Sequence, residues 1–296
     1  YPDAEGREEV LKGHTRNKPR GPDVDLGVIA KTTVGVTGAD LENLVNEASL
    51  LAARKNRKAI VKEDIEEATI KVIAGPEKKS RVVSEKERRL TAYHEGGHAI
   101  CTFYCPSQDK VHQVSIIPRG MAGGYTMSLP EQDKSFVSKK EMLENIITLL
   151  GGRVAEKLIL DDISTGASND IERATNTARS MVTKYGFSDK LGPIVYGHDQ
   201  GEVFLGRDFS STPNYSDNVA AEIDAEIREI IEDSYEKAKD ILEQHLDQLH
   251  LVAKYLMQFE KVEAADFEKL MKGEITEADF EKAKAEEEKK ADVDET

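Results

Sequence analysis

The sequence predicts a mainly α protein with a small β element, built as two domains, and three observations carry that reading. Apolar residues recur at three- and four-residue steps along most of the chain, as in Leu41, Leu44, Val45, Ala48, Leu51 and Ala52, which gathers them on one face of a helix. Only two short stretches, Val111 to Ile117 and Tyr125 to Met127, read as strands. The length of 296 residues exceeds the roughly 100–200 residues that a single domain usually holds.

Taken in order, helical patterns run over Glu8 to His14, Val24 to Ala30, Gly38 to Ala53 and Lys62 to Ile73, making a small four-helix unit over residues 1–75. A Gly75-Pro76 pair and clustered charge then break the periodicity, so residues 76–83 read as a linker. The second unit, residues 84–272, opens on the capping-box pattern Ser84-Glu85-Lys86-Glu87. The helix it starts runs through His94 and His98 and stops at Pro106, which lacks an N–H donor and restricts Cys105. After the two strand-like stretches and the Gly123-Gly124 break comes a second capping box, Ser138 to Glu141. It launches a helix whose stripe is Met142, Leu143, Ile146, Ile147, Leu150, Val154 and Leu158. Further helices are expected from Asn169 to Tyr185, along the tract from Asp217 to about Phe259, and from Val262 to Met271, with a glycine-rich loop from Gly186 to Gly206. Residues 273–296, with the charged run Glu281 to Lys290, lack large apolar side chains in that run and read as a poorly ordered tail.

Composition narrows the function classes. With 39% hydrophobic and 33% charged residues and no apolar run near the roughly 20 residues of a membrane span, the composition is that of a soluble globular chain, and any membrane anchor is expected outside it. The start, Tyr1-Pro2-Asp3, has neither an initiator Met nor a signal-peptide pattern, so the chain reads as a piece of a longer protein. A formal charge of −15 argues against nucleic-acid binding, which relies on Lys and Arg at phosphates. The two cysteines, Cys101 and Cys105, are expected to be small core residues of a protein in a reducing compartment.

The chemistry concentrates in His94-Glu95-Gly96-Gly97-His98, an HExxH pattern on a helix. Four residues turn about 400°, so the two imidazoles emerge about 40° apart on one face and can grip one zinc ion. Glu95 lies one residue along, beside the metal position, which suits a general base acting on the attacking water. Three fixed positions also arise by chance in unrelated helices. Yet two glycines inside a helix cost about 1 kcal/mol each relative to Ala, so a neighbouring backbone or a substrate must need the space. A catalytic zinc takes a third protein ligand. A metzincin would have Gly and His at 101 and 104, where this chain has Cys101 and Tyr104. Glu156, within Gly151-Gly152-Arg153-Val154-Ala155-Glu156, and Asp170, within Thr165-Gly166-Ala167-Ser168-Asn169-Asp170, are the two candidates, and the pattern does not separate them.

Five motifs occur in order: Tyr93 to Ala99, Ser115 to Gly120 (SIIPRG), Leu150 to Glu156 (LGGRVAE), Ser164 to Thr175 (STGASNDIERAT) and Gly201 to Gly206 (GEVFLG). Together they resemble the protease domain of the FtsH family, membrane-anchored AAA+ zinc proteases. The resemblance implies Asp170 as the third zinc ligand beside His94 and His98, with Glu95 as catalytic base and Glu156 as a packing or supporting residue. Gly96 departs from the pattern, since the family more often has Ala there. Arg7 to His14 and Thr37 to Leu41 resemble the C-terminal helical lid of an AAA+ ATPase, which implies a fold of a small four-helix AAA+ lid followed by a largely helical zinc-protease domain. In that resemblance His14, Gly38 and Ala39 border a bound nucleotide, and ATP with Mg2+ is a cofactor of the longer protein. The chain has no GxxxxGK[ST] loop, so the phosphate-binding half is expected outside it.

The resemblance further implies a homohexamer on the cytoplasmic face of a membrane, most simply a bacterial inner membrane, acting on polypeptide substrates. An extended substrate is expected to add as a strand at Gly124-Tyr125-Thr126, a mode that reads backbone. Two other classes remain open: an inactive, chaperone-like or scaffolding AAA+ module, and a small-molecule amidase. A degenerate scaffold would be expected to have lost one of His94, Glu95, His98 or Asp170, and all four are present.

Overall fold

Side-chain caps decide where the first helices begin. Asp3 accepts from the Gly6 amide and Asp25 from those of Gly27 and Val28, while Thr37 and Asp40 exchange hydrogen bonds as a capping box. Each satisfies amides that a helix start leaves without partners. The resulting helices are α1 (Ala4–Thr15), α2 (Leu26–Thr32), α3 (Gly38–Arg54) and α4 (Lys62–Ala74). They close on one apolar cluster that includes Leu11, Leu26, Ile29, Leu41, Leu44, Val45, Ala48 and Ala68, the stripe that the periodicity of α3 marks out. The computed structural model describes residues 1–78, 83–120, 122–130, 133–134, 136–197 and 215–280. The Gly201 to Gly206 motif, linker residues 79–82 and the charged run from Glu281 lie outside the described residues.

The chain divides into two compact units, one of residues Tyr1–Gly96, Asp109–Phe136 and the described residues from Asp247 on, the other of Gly97–Gln108 and Val137–Leu246. In the first, the four helices are joined by a small antiparallel sheet in the order β2-β1-β3, with β1 at Val111–Ser115, β2 at Tyr125–Ser128 and β3 at Lys261–Glu263. Two buried arginines tie helices to the sheet segment. Arg7, 1% exposed, donates to the Ala30 carbonyl and makes a two-pronged pair with Asp133 at 3.0 and 3.1 Å. Arg119, 2% exposed, reaches Glu67 of α4 at 2.9 Å and Glu77 at 2.6 Å, with its guanidinium 5.7 Å from the centre of the Tyr125 ring.

Helix α5 (Glu85–Tyr104) passes through both units. Ser84 and Glu87 cap its start as the sequence predicts, and it ends at Tyr104, two residues before Pro106. The second unit holds α6 (Lys139–Leu160), a 3-10 turn at Thr165–Ala167, α7 (Ser168–Thr183) and α8 (Asp217–Gln244). α6 packs on both α7 and α8 around Ile146, Leu150, Ala174, Ala178, Met181, Ile223 and Ile227. The apolar face of α8 is therefore used inside this unit, with Val219, Ile230 and Ile231 packed at its margin.

Two expectations change. The tract from Asp217 to Phe259 is two helices, α8 and α9 (Leu246–Phe259), broken at His245 (φ −125°, ψ 32°), whose ring stacks on Tyr104 at 3.7 Å. No Gly or Pro marks the break; it falls where the chain passes from one unit to the other. The final helix starts at Ala264, not Val262, because Lys261–Glu263 pairs with β1 as β3 before α10 (Ala264–Lys272) begins. Three residues with one fully buried side chain, Val262, are too few to show alternation.

α5 and α6 cross where Gly97 meets Gly151. A Cβ on Gly97 would stand 2.4 Å from the Gly151 carbonyl oxygen and 2.7 Å from Ala155 Cβ, whereas one on Gly96 would meet side-chain ends, Leu249 Cδ1 at 3.1 Å and Val252 Cγ1 at 3.7 Å. The two glycines thus predict opposite outcomes. Gly97→Ala is expected to destabilise by about 1–3 kcal/mol through overpacking. Gly96→Ala is expected to be neutral or stabilising by up to about 1 kcal/mol through helix propensity. Urea unfolding of the two metal-free variants checks this, and equal shifts of the two midpoints would refute the crossing.

Candidate metal centre

Helix α5 fixes the geometry of the HExxH residues before any other element contributes. His94, Glu95 and His98 are all buried, at 9%, 6% and 8% exposure, and the two imidazoles share one face of the helix. His98 Nδ1 lies 2.8 Å from the Thr148 carbonyl oxygen of α6. A carbonyl can only accept, so Nδ1 carries a proton, and in the neutral ring Nε2 then keeps its lone pair for a metal, the arrangement in which an outer hydrogen bond sets the ligand tautomer. His98 Nε2 lies 3.5 Å from Asp170 Oδ2, at the first turn of α7.

His94, His98 and Asp170 each offer one donor atom, and the three atoms lie within 4.8 Å of one another. Two imidazole nitrogens and one carboxylate oxygen are the donor set of a zinc site with an open fourth position. Of the two carboxylates that the pattern leaves level, Glu156 is fully buried and receives the Ser164 amide at 2.7 Å and the Ser164 hydroxyl at 3.0 Å. It is not a member of the cluster.

Glu95 is held from β2. The Thr126 hydroxyl is directed at the Glu95 carbonyl oxygen, 3.0 Å away, and at Glu95 Oε2, 2.9 Å away. Gly124 makes this approach feasible, since a Cβ there would stand 2.6 Å from the Ser115 carbonyl oxygen and 3.1 Å from Glu95 Cγ. Tyr125 hydrogen-bonds Gln113, and burial pushes its phenol up to about 12. Among the described residues β2 pairs on one side only, with β1. The cysteines sit in the packing. Cys101 lies against Gly151, and burial pushes its thiol well up and that of Cys105 to about 11, which disfavours thiolate ligation near neutral pH.

The nucleotide-bordering candidates lie apart from this cluster in sequence and element. His14 is near the end of α1, and Gly38 and Ala39 open α3 at its capping box; among the described residues no hydrogen bond joins His14 to that turn. Thr148 acts through its backbone carbonyl, which leaves no signature in residue identity. Thr126 likewise carries no residue-pattern signal, since its hydroxyl reaches Glu95 from a strand 31 residues on in the chain.

Residues 81–270 match the profile of peptidase family M41, and residues 23–67 match that of the AAA+ lid domain. The chain belongs to peptidase family M41. Curated relatives of this M41 chain include the ATP-dependent zinc metalloprotease FtsH of Caldicellulosiruptor bescii, 62% identical over 270 residues, which covers 91% of this chain and 44% of the relative. FtsH 1 of a Thermoanaerobacter species is 59% identical, covering 92% of this chain and 45% of its own length. FtsH of Bacillus subtilis is 54% identical, covering 94% and 44%. The M41 chain thus spans less than half the length of these relatives.

The cluster predicts one strong metal site per chain. Chelator treatment is expected to lower the thermal midpoint and one equivalent of zinc to restore it, with a gain of about 2.7 kcal/mol when free zinc is a hundredfold above its Kd. Scanning calorimetry with metal analysis checks this; a midpoint indifferent to zinc would refute the site.

Proposed function

We propose that this chain is the peptidase part, together with the lid, of an ATP-dependent zinc metalloendopeptidase that degrades membrane and unfolded cytoplasmic proteins. The observation that carries the reading is the gathering of His94, His98 and Asp170 on the face of a helix that also presents Glu95. In this reading residues 1–75 are the AAA+ lid, 76–83 the linker and 84–272 the peptidase domain, and His94, His98 and Asp170 hold the zinc ion. Zinc, when bound, supplies Lewis acidity to a water molecule and to the scissile carbonyl. Glu95 takes a proton from the attacking water and later delivers it to the leaving amine. The Thr126 hydroxyl holds the Glu95 carboxylate in place for both transfers.

Substrate polypeptide adds as a strand along Gly124-Tyr125-Thr126, on the side of β2 that β1 does not occupy. Since the Thr126 hydroxyl and the Tyr125 phenol are already engaged, the strand offers backbone groups, which suits broad specificity. His14, Gly38 and Ala39 border the adenine and ribose of ATP, whose phosphates and Mg2+ are held by a part of the longer protein. The working form is a homohexamer on the cytoplasmic face of a membrane, attached through segments beyond this chain; among the described residues no helix is long and apolar enough to cross a membrane.

The scaffolding alternative and the amidase alternative are separated by one assay. The zinc-loaded chain is expected to digest casein, while a scaffold would hold or lack zinc without digestion and an amidase would spare unfolded polypeptide. Glu95→Gln is expected to retain zinc and lose digestion; retained digestion would sink its role as base. Asp170→Ala is expected to lose stoichiometric zinc. Thr126→Val removes a hydrogen bond to a carboxylate, valued at about 1.5–3 kcal/mol, so kcat is expected to fall about tenfold or more with zinc content unchanged.

A further inference from the structure

Ser164, which ends the loop between α6 and the turn leading into α7, is gripped through every polar group it has. Its amide donates to Glu156 Oε2 at 2.7 Å, its hydroxyl donates to Glu156 Oε1 at 3.0 Å, and its carbonyl accepts from Arg153 Nη1 at 2.9 Å. Its Oγ also accepts from the Gly166 amide at 3.1 Å, which caps the 3-10 turn Thr165–Ala167. That turn runs into α7 at Ser168 without a break, and Asp170 lies in the first turn of α7. Both grips come from one helix face, since Arg153 and Glu156 are three residues apart on α6.

The environment makes the grip directional. Glu156 is fully buried, and a carboxylate out of water is tolerated only where hydrogen bonds satisfy it. Rotating Ser164 away would cost it the two hydrogen bonds that Ser164 donates. The same helix presents the Thr148 carbonyl to His98 and the Gly151 backbone to Gly97. α6 therefore contacts His98 of the 3.5 Å pair His98 and Asp170 directly, and it contacts Ser164, from which the chain runs on into the helix turn that carries Asp170.

We infer that Arg153 and Glu156 are positioning residues that, through Ser164, set Asp170 at the distance from His98 that a metal requires. The inference rests on the reading of Asp170 as a ligand and assigns the LGGRVAE motif a task in it: α6 is the common template for ligands carried by two other helices. Outer residues of this kind typically alter metal affinity by about 10–100-fold.

The test is the zinc dissociation constant of the 296-residue chain, measured by competition with a chromophoric chelator. Arg153→Met and Ser164→Ala are expected to weaken zinc binding by about 10–100-fold. Arg153→Lys should recover most of the loss, because one ammonium can still donate to the Ser164 carbonyl. Unchanged affinity in Arg153→Met and Ser164→Ala, alongside weakened binding in Asp170→Ala, overturns the positioning role alone; wild-type affinity in Asp170→Ala overturns both it and the ligand reading. Arg153→Met added to Asp170→Ala should bring no further loss, whereas an equal additional loss would mark a general structural effect and overturn the inference. Should Arg153→Met fail to fold, Arg153→Lys and Ser164→Ala carry the comparison. Exchange of the Ser164 amide, slow in the parent and faster in Arg153→Met, gives a readout independent of metal.

Discussion

Gly97 and Gly151 bring the backbones of α5 and α6 so close that a Cβ on either would lie 2.4 to 2.7 Å from the other's carbonyl oxygen, and the polar geometry of the second unit is measured from that crossing. At ordinary helix separations of about 8–10 Å, side chains fill the gap and set the distance; here the backbones themselves are in contact. On α6, Thr148, Gly151 and Ala155 follow i, i+3, i+7 and form the stripe that α5 meets, while Arg153 and Glu156 form another that meets the loop before α7. One rigid helix can then serve two neighbours at once. The glycines that weaken α5 by their propensity are what lets His98 reach a backbone acceptor on α6.

Much of this was legible in the sequence because it is local. The capping boxes at Ser84 and Ser138 set helix starts through bonds between residues three apart, and the HExxH spacing alone puts two imidazoles on one face. The features that were not legible are set by partners distant in sequence. Strand β3 exists because β1 lies beside it, about 150 residues earlier in the chain, and the break at His245 is accompanied by a ring stacked on Tyr104. Glu156 and Asp170 could not be told apart by pattern, since both are carboxylates on helices next to glycine-containing stretches. Their surroundings separate them: one is enclosed with its oxygens on Ser164, the other is partly open and faces His98.

The SIIPRG motif has a comparable explanation in the first unit. Arg119 is buried with its Nη2 shared between Glu67 and Glu77 and its guanidinium near the Tyr125 ring, while its Nε finds no hydrogen-bond partner among the described residues. A buried cation needs anions close by, so the turn carrying Arg119 is fixed to α4 and to the residues that follow it. Tyr125 and Thr126 are adjacent on β2, so the strand that steadies Glu95 is braced on its neighbouring residue by this arginine.

Counting charge at the centre adds a consequence. In the proposed reading His94 and His98 are neutral ligands, whereas Asp170 and Glu95, when ionised, bring two negative charges to a region where three of the four side chains are buried. A divalent cation brings the sum to zero, while a monovalent one leaves an excess of one. An ion held there as proposed would be the counter-charge to both carboxylates, so neutrality would add to the shape of the donor set in favouring a divalent cation.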